Sequence, residues 1–105
     1  MEEFINKVEL LGIVGRSERQ KIGDTHVDMF SVVTNDYYRD AKGTPTIDTT
    51  WFRVSHWGST DPAPEKGQRV RLAGRFRCRK FVTPDKEERT TYDILASSVE
   101  IIKED

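Results

Sequence analysis

The chain has 105 residues, 35% hydrophobic and 33% charged, with a formal net charge of −1. That length suits one domain over residues 1–105, and no apolar run approaches the ~20 residues that a membrane helix needs. The lone cysteine, Cys78, excludes an internal disulfide, and Met1-Glu2-Glu3-Phe4 lacks the basic-then-apolar layout of a secretory signal, so a reduced, cytoplasmic protein is expected.

In chain order, Val8 to Gly15 is β-branched and apolar and predicts a first strand, with Gly12 marking a bulge or tight bend. Arg16 to Asp24 is polar, contains Gly23 and predicts a loop. Val27 to Thr34 alternates around Phe30 and Val32 as a second strand. Asn35 to Thr50 predicts a long polar connection with turns at Asp40-Ala41-Lys42-Gly43 and Pro45. Trp51 to Trp57 is a third strand, stopped by Gly58. Ser59 to Gly67 holds Pro62 and Pro64; a proline inside a helix costs about 3 kcal/mol, so at most one helical turn fits. Arg69 to Phe81 predicts a fourth strand kinked at Gly74, Thr83 to Glu87 a hairpin tip, and Thr91 to Ile102 a fifth strand broken at Ser97-Ser98. Five strands without a long helix predict a small all-β barrel or sandwich.

Alternation along a strand decides which side chains share a face. In strand three, Phe52, Val54 and His56 point one way, with Phe52 and Val54 making a core face, and Trp51, Arg53, Ser55 and Trp57 point the other. An arginine between two tryptophans argues against burying that second face. In strand four, Val70, Leu72, Phe76 and Cys78 share the core side, which predicts a buried, inert thiol, and Arg71, Arg75, Arg77 and Arg79 share the opposite side. From Lys66 to Lys80 there are seven basic residues and no acid, a local basic strip on a near-neutral protein. If strands three and four pair, the tryptophans sit beside the arginines. Such a surface suits single-stranded nucleic acid, because every base offers a π-face and every linkage a phosphate. An aromatic–cation ladder that merely stabilises an exposed sheet is the structural alternative.

Catalytic readings find little support. His26 and His56 have no cysteine or carboxylate at metal-ligand spacing; His26 reads as a loop-edge residue and His56 as a wall or interface residue. There is no glycine-rich phosphate loop, and Glu87-Glu88 sits in a turn. A small hydrolase would need a convergent acid, base or metal site. No catalytic residue, metal or cofactor is expected.

Over nearly its full length the chain resembles the bacterial single-stranded DNA-binding proteins. The residues that carry the resemblance are Asn6 to Gly12, Phe30 to Thr34, Tyr38-Arg39-Asp40, Trp51-Phe52-Arg53-Val54, Trp57-Gly58, Lys66-Gly67 and Gly74 to Phe81, in that order. The resemblance implies a five-stranded OB-fold, a Greek-key barrel, with the connecting helix usual between strands three and four short or absent here. It places the base-stacking aromatics at Tyr38, Trp51, Trp57 and Phe81, and backbone-binding cations at Arg53, Lys66, Arg77, Arg79 and Lys80. Arg71 and Arg75 join them on the strand-four face. Single-stranded DNA is the expected partner, in replication, recombination or repair, in a bacterial, nucleoid-associated setting. A primosomal-replication-type adaptor, an OB-fold that docks proteins as well as single-stranded DNA, is the alternative.

The resemblance also implies a homo-oligomer, usually of four subunits. Strand one supports at least a dimer, since it is apolar at both parities, with Leu10 and Val14 on one side and Leu11 and Ile13 on the other. Family members usually end in a flexible tail whose acidic tip recruits repair and replication enzymes; this sequence stops at Lys103-Glu104-Asp105, so the expectation is either that a tail has been removed or that no acidic tail recruits partners here.

Overall fold

The computed structural model describes residues 2–103. It holds five strands, β1 (Val8–Ile22), β2 (Thr25–Arg39), β3 (Pro45–Trp57), β4 (Arg69–Val82) and β5 (Glu88–Ile102). They close into a barrel in the order β1-β2-β3-β5-β4. All pairings are antiparallel except β3 with β5, a short parallel join at Val54–Ile94 and Ser55–Leu95. The all-β barrel matches the expected architecture, and among the described residues there is no helix.

The core gathers Val14, Phe30, Val32, Val54, Val70, Leu72, Ile94 and Ala96, with Val8, Leu10, Phe52, Val99 and Ile101 packed around it. Burying these apolar faces on one side of each strand is what the alternation dictates. The expected break at Ser97-Ser98 is a bulge. Ala73 faces Ser98 and Gly74 faces Ala96, so Ser97 is the extra residue, and its hydroxyl donates to the Ala73 carbonyl at 3.2 Å. The inward parity of β5 therefore changes from Val99 and Ile101 to Ile94 and Ala96.

Four expectations are corrected. The segments read as loops, Arg16–Asp24 and Asn35–Thr50, are mostly strand. β1 runs on to Ile22, opposite Thr25 across a two-residue turn, and β2 and β3 pair out to Arg39–Pro45. These stretches are polar because nearly all of their own side chains stand in water. The radius of gyration, 16.6 Å, exceeds the about 13 Å of a compact chain this long. Second, the β1 bulge lies between Val14 and Ser17, not at Gly12. Third, Phe76 and Cys78 keep the core parity but lie where β4 leaves the barrel, so Phe76 is exposed and stacks on Tyr92 at a centroid distance of 6.1 Å. The Cys78 thiol is likewise exposed rather than buried. Fourth, β3 and β4 do not pair, because β5 lies between them.

The two long arms, β2–β3 and β4–β5, project from one end of the barrel. Asp40 knits the first tip, its carboxylate accepting from the Lys42 and Thr44 amides at 2.8 and 2.9 Å. Thr83 knits the second, its hydroxyl accepting from the Glu87 amide at 3.1 Å. At the opposite end the proline-rich Ser59–Gly67 segment runs as a loop tied down from β1 and β2. His26 contacts the Ser59 carbonyl at 2.6 Å. Arg19 forks onto buried Asp28 at 2.6 and 2.9 Å and donates on to the Asp61 carbonyl at 2.7 Å. Glu104 and Asp105, the sequence's final acidic pair, lie outside the described residues.

Candidate nucleic-acid interface

The outer surface of β3, β5 and β4 carries most of the expected site. β3 shows Trp51 (60% exposed), Arg53 and Trp57 (47% exposed) outward while Val54 is fully buried behind them. About 20 Å of extended chain separates Trp51 from Trp57. β5 crosses next with Thr91, Asp93 and Leu95 on the same side, paired respectively with Arg79, Arg77 and Arg75 of β4. Phe81 continues the arginine parity onto the β4–β5 arm and is half exposed. Tryptophans and arginines thus share one surface, with β5 as the intervening strip.

Trp51 sits where it does because position 15 has no side chain. A Cβ on Gly15 would lie 2.5 Å from Trp51 Cζ3 and 2.9 Å from the Ser31 hydroxyl. That hydroxyl accepts from the Arg16 amide at 3.0 Å, so the β1 bulge, Gly15 and Ser31 together form the seat for the indole.

Arg77 differs from its neighbours. Its guanidinium donates in a fork to Asp93, 3.0 Å from Nε to Oδ1 and 2.8 Å from Nη2 to Oδ2, and the Ser55 hydroxyl donates to the same Oδ2 at 3.4 Å. Burial alone would raise the Asp93 carboxyl; the hydrogen bond and charge of Arg77, helped by Arg79 and Ser55, outweigh it and hold the group below the ordinary carboxylate range. The network ties β3, β5 and β4 together under the exposed surface, and it leaves Arg77 fewer N–H groups for a ligand than Arg75 or Arg79.

The remaining expected residues lie elsewhere. Arg71 is on the outer side of β4 but flanked by Leu11 of β1 and Glu100 of β5. Lys80, paired with Thr90, lies on the opposite side of the β4–β5 ribbon from Arg79 and Phe81. Lys66 is in the Ser59–Gly67 loop, at the barrel end away from the arms, beside Ser17 and Arg19. Tyr38 pairs with Thr46 on the β2–β3 arm, on the parity of Phe52 rather than of Trp51. Tyr37, which the residue pattern did not single out, has the Trp51 parity and is 75% exposed. Its signal was available in the odd numbering it shares with Trp51 across an unshifted register. Among the described residues no group of three His, Cys, Asp or Glu side chains could hold a metal ion.

Comparison with known proteins identifies the family and the fold. A mitochondrial single-stranded DNA-binding protein of Danio rerio is 32% identical over 117 residues, covering 99% of this chain and 80% of that protein. A single-stranded DNA-binding protein of Neisseria meningitidis is also 32% identical; the match covers 93% of this chain and 60% of the relative's length. Among solved structures, the Plasmodium falciparum SSB in complex with ssDNA superposes with a TM-score of 0.83 at 25% identity, over 98% of this chain and 99% of that one. The relatives are bacterial and mitochondrial proteins, and binding rather than catalysis defines them. Residues 5–102 match the profile of the single-strand binding protein family, and the chain belongs to that family.

Proposed function

We propose that this protein coats single-stranded DNA without regard to sequence. The observation that carries the reading is the joint exposure of Trp51, Trp57 and Phe81 on the surface that bears Arg53, Arg75 and Arg79. Bases stack on the aromatic rings at about 1–3 kcal/mol each, while the arginines meet phosphates. The β2–β3 arm adds a tyrosine. Arg77 contributes with the donors Asp93 leaves it, and Arg71, Lys66 and Lys80 act as outlying cations along the path of a longer strand. Stacking and charge do not read base edges, so every sequence is accommodated. The relatives bind single-stranded DNA by name, and the role extends to replication, recombination and repair wherever single strands arise. The exposed Leu11 and Ile13 of β1 supply the surface on which a second copy packs, giving at least a dimer. The setting proposed from the resemblance is the bacterial cytoplasm, at the nucleoid.

A titration of intrinsic tryptophan fluorescence with oligo-dT and oligo-U tests the reading. Oligo-dT quenches the emission and binds with a log K against log salt slope of roughly −2 to −4, as expected for about three to five neutralised phosphates. Trp51→Ala and Trp57→Ala each weaken binding by about 1–3 kcal/mol with little change in melting temperature. Salt-independent binding, or full affinity in both variants, would sink the proposal.

A further inference from the structure

One irregularity in β1 brings a further cation onto the tryptophan face. Val14 pairs with Val32 and Ser17 with Phe30, so two residues, Gly15 and Arg16, stand opposite the single residue Ser31. Val14 points into the core. Strict alternation would turn Arg16 inward with it and Ser17 outward. The extra residue reverses this. Ser17 takes the inward parity of Phe30, and Arg16 comes out on the side of Ser31. Ser31 in turn lies opposite Arg53 of β3. A row of Arg16, Ser31 and Arg53 therefore crosses three strands on the outer face, next to Trp51.

The row lines an open groove together with Trp51, Met29, Ser55 and Glu18. Two strand spacings, about 10 Å, separate the main chains of Arg16 and Arg53, a gap that two guanidinium side chains can close around one phosphate. Both arginines are exposed, and among the described residues neither guanidinium is held by a carboxylate. Arg19, Arg77 and Arg89, by contrast, are taken up by Asp28, Asp93 and Glu87. The Ser31 hydroxyl accepts from the Arg16 amide at 3.0 Å, which leaves its own hydrogen to donate into the groove. It also lies beside the indole, since a Cβ on Gly15 would meet both that hydroxyl and the Trp51 ring. Two unpaired guanidiniums and a hydroxyl beside an exposed ring make a donor set for the phosphate next to a stacked base. Glu18, one residue pair farther along, is the one carboxylate that lines the groove, and it sets that end against phosphate.

We infer that Arg16, Ser31 and Arg53 form a phosphodiester-binding subsite beside Trp51, so that the contact surface for the bound strand reaches across β2 to β1. The inference rests on the single-strand-binding reading and extends it to Arg16, a position that neither the residue pattern nor the family resemblance singles out.

The test measures oligo-dT affinity by tryptophan fluorescence across a salt series for full-length Arg16→Gln, Arg16→Lys, Glu18→Gln and Lys21→Gln, with circular-dichroism melting alongside. Arg16→Gln weakens binding about two- to fivefold. It also makes the log K against log salt slope shallower by about half a unit, most of the ~0.7 that one phosphate contributes. Its melting temperature stays at the parent's value, because the lost guanidinium holds no other side chain. Arg16→Lys keeps the charge and the parent's slope. Glu18→Gln binds about twofold more tightly, a gain that a folding defect cannot produce. Lys21→Gln removes the same charge from the inward parity of β1 and leaves the slope as it was. An unchanged slope in Arg16→Gln, an equal fall in Lys21→Gln, or no gain in Glu18→Gln overturns the subsite, while quenching of the parent by oligo-dT leaves the binding reading intact. Absence of quenching in the parent overturns the binding reading itself.

Discussion

Two glycines of β1, three residues apart, show how one methyl group can act on function or on folding according to what it meets. At Gly15 the new Cβ would press on the rim of an exposed indole and on a hydroxyl. The indole can swing outward, so Gly15→Ala costs little stability, about 1 kcal/mol at most, yet it tilts Trp51 off its seat. The expected result is a shifted tryptophan emission spectrum and several-fold weaker oligo-dT binding at a nearly unchanged melting temperature. At Gly12 the Cβ would strike the Val33 backbone carbonyl and the buried Val32 side chain, neither of which has room to move. Gly12→Ala therefore lowers stability by about 1–3 kcal/mol and leaves the affinity of the folded fraction as it was. Reversed results in the melting and binding assays would contradict the described seat of Trp51.

Among the strands, the Ser55–Asp93–Arg77 network joins three elements whose main chains are hydrogen-bonded only in neighbouring pairs. Asp93 is 7% exposed but its partner Arg77 reaches solvent, and losing a charge-assisted hydrogen bond of this kind costs about 1–3 kcal/mol, so Asp93→Asn should lower the melting temperature. Folding depresses the Asp93 pKa. Its contribution is thus complete above the unfolded carboxylate value of about 3.9 and is lost as pH falls through the lower folded value. Denaturant titrations from pH 6 down to pH 2 should show that acid limb in the parent and a shallower one in Asp93→Asn; identical limbs would remove Asp93 from the account. None of this network could be read from alternation. The residue pattern located Arg77 on the outward side correctly, but its partner depends on β5 lying between β3 and β4, a matter of topology. The same limit explains Phe76 and Cys78, since a period of two continues unchanged past the point where the barrel ends. It also explains the arms, where Thr46, Thr49 and Thr50 carry strand propensity without the apolar alternation that marks a half-buried strand. The barrel strands themselves, the two hairpin tips and the Trp51–Arg53–Trp57 face were legible because each rests on local chemistry: apolar alternation, turn residues, or an arginine that resists burial.

At the scale of the whole molecule, β1 leaves Leu11 and Ile13 38% and 41% exposed on the face opposite Val14. Sedimentation equilibrium at micromolar concentration without DNA should give at least twice the 12.1 kDa chain mass, and Leu11→Glu with Ile13→Glu should return it to one chain; a parent that sediments as a single chain would refute the assembly. The barrel also closes unevenly. β2–β3 and β4–β5 are long antiparallel ladders, whereas β3 meets β5 through two residue pairs only. Of all the joins this one has the fewest residue pairs, so local opening is expected there first. Arg53 and Arg75, both proposed to meet phosphates, lie on either side of β5, so a strand that contacts both would cross that join. A bound strand would then do more than occupy a surface: it would slow the opening of its own scaffold, and deuterium uptake at the amides of Val54, Ser55, Ile94 and Leu95 should fall further on adding oligo-dT than uptake anywhere along the β1–β2 ladder.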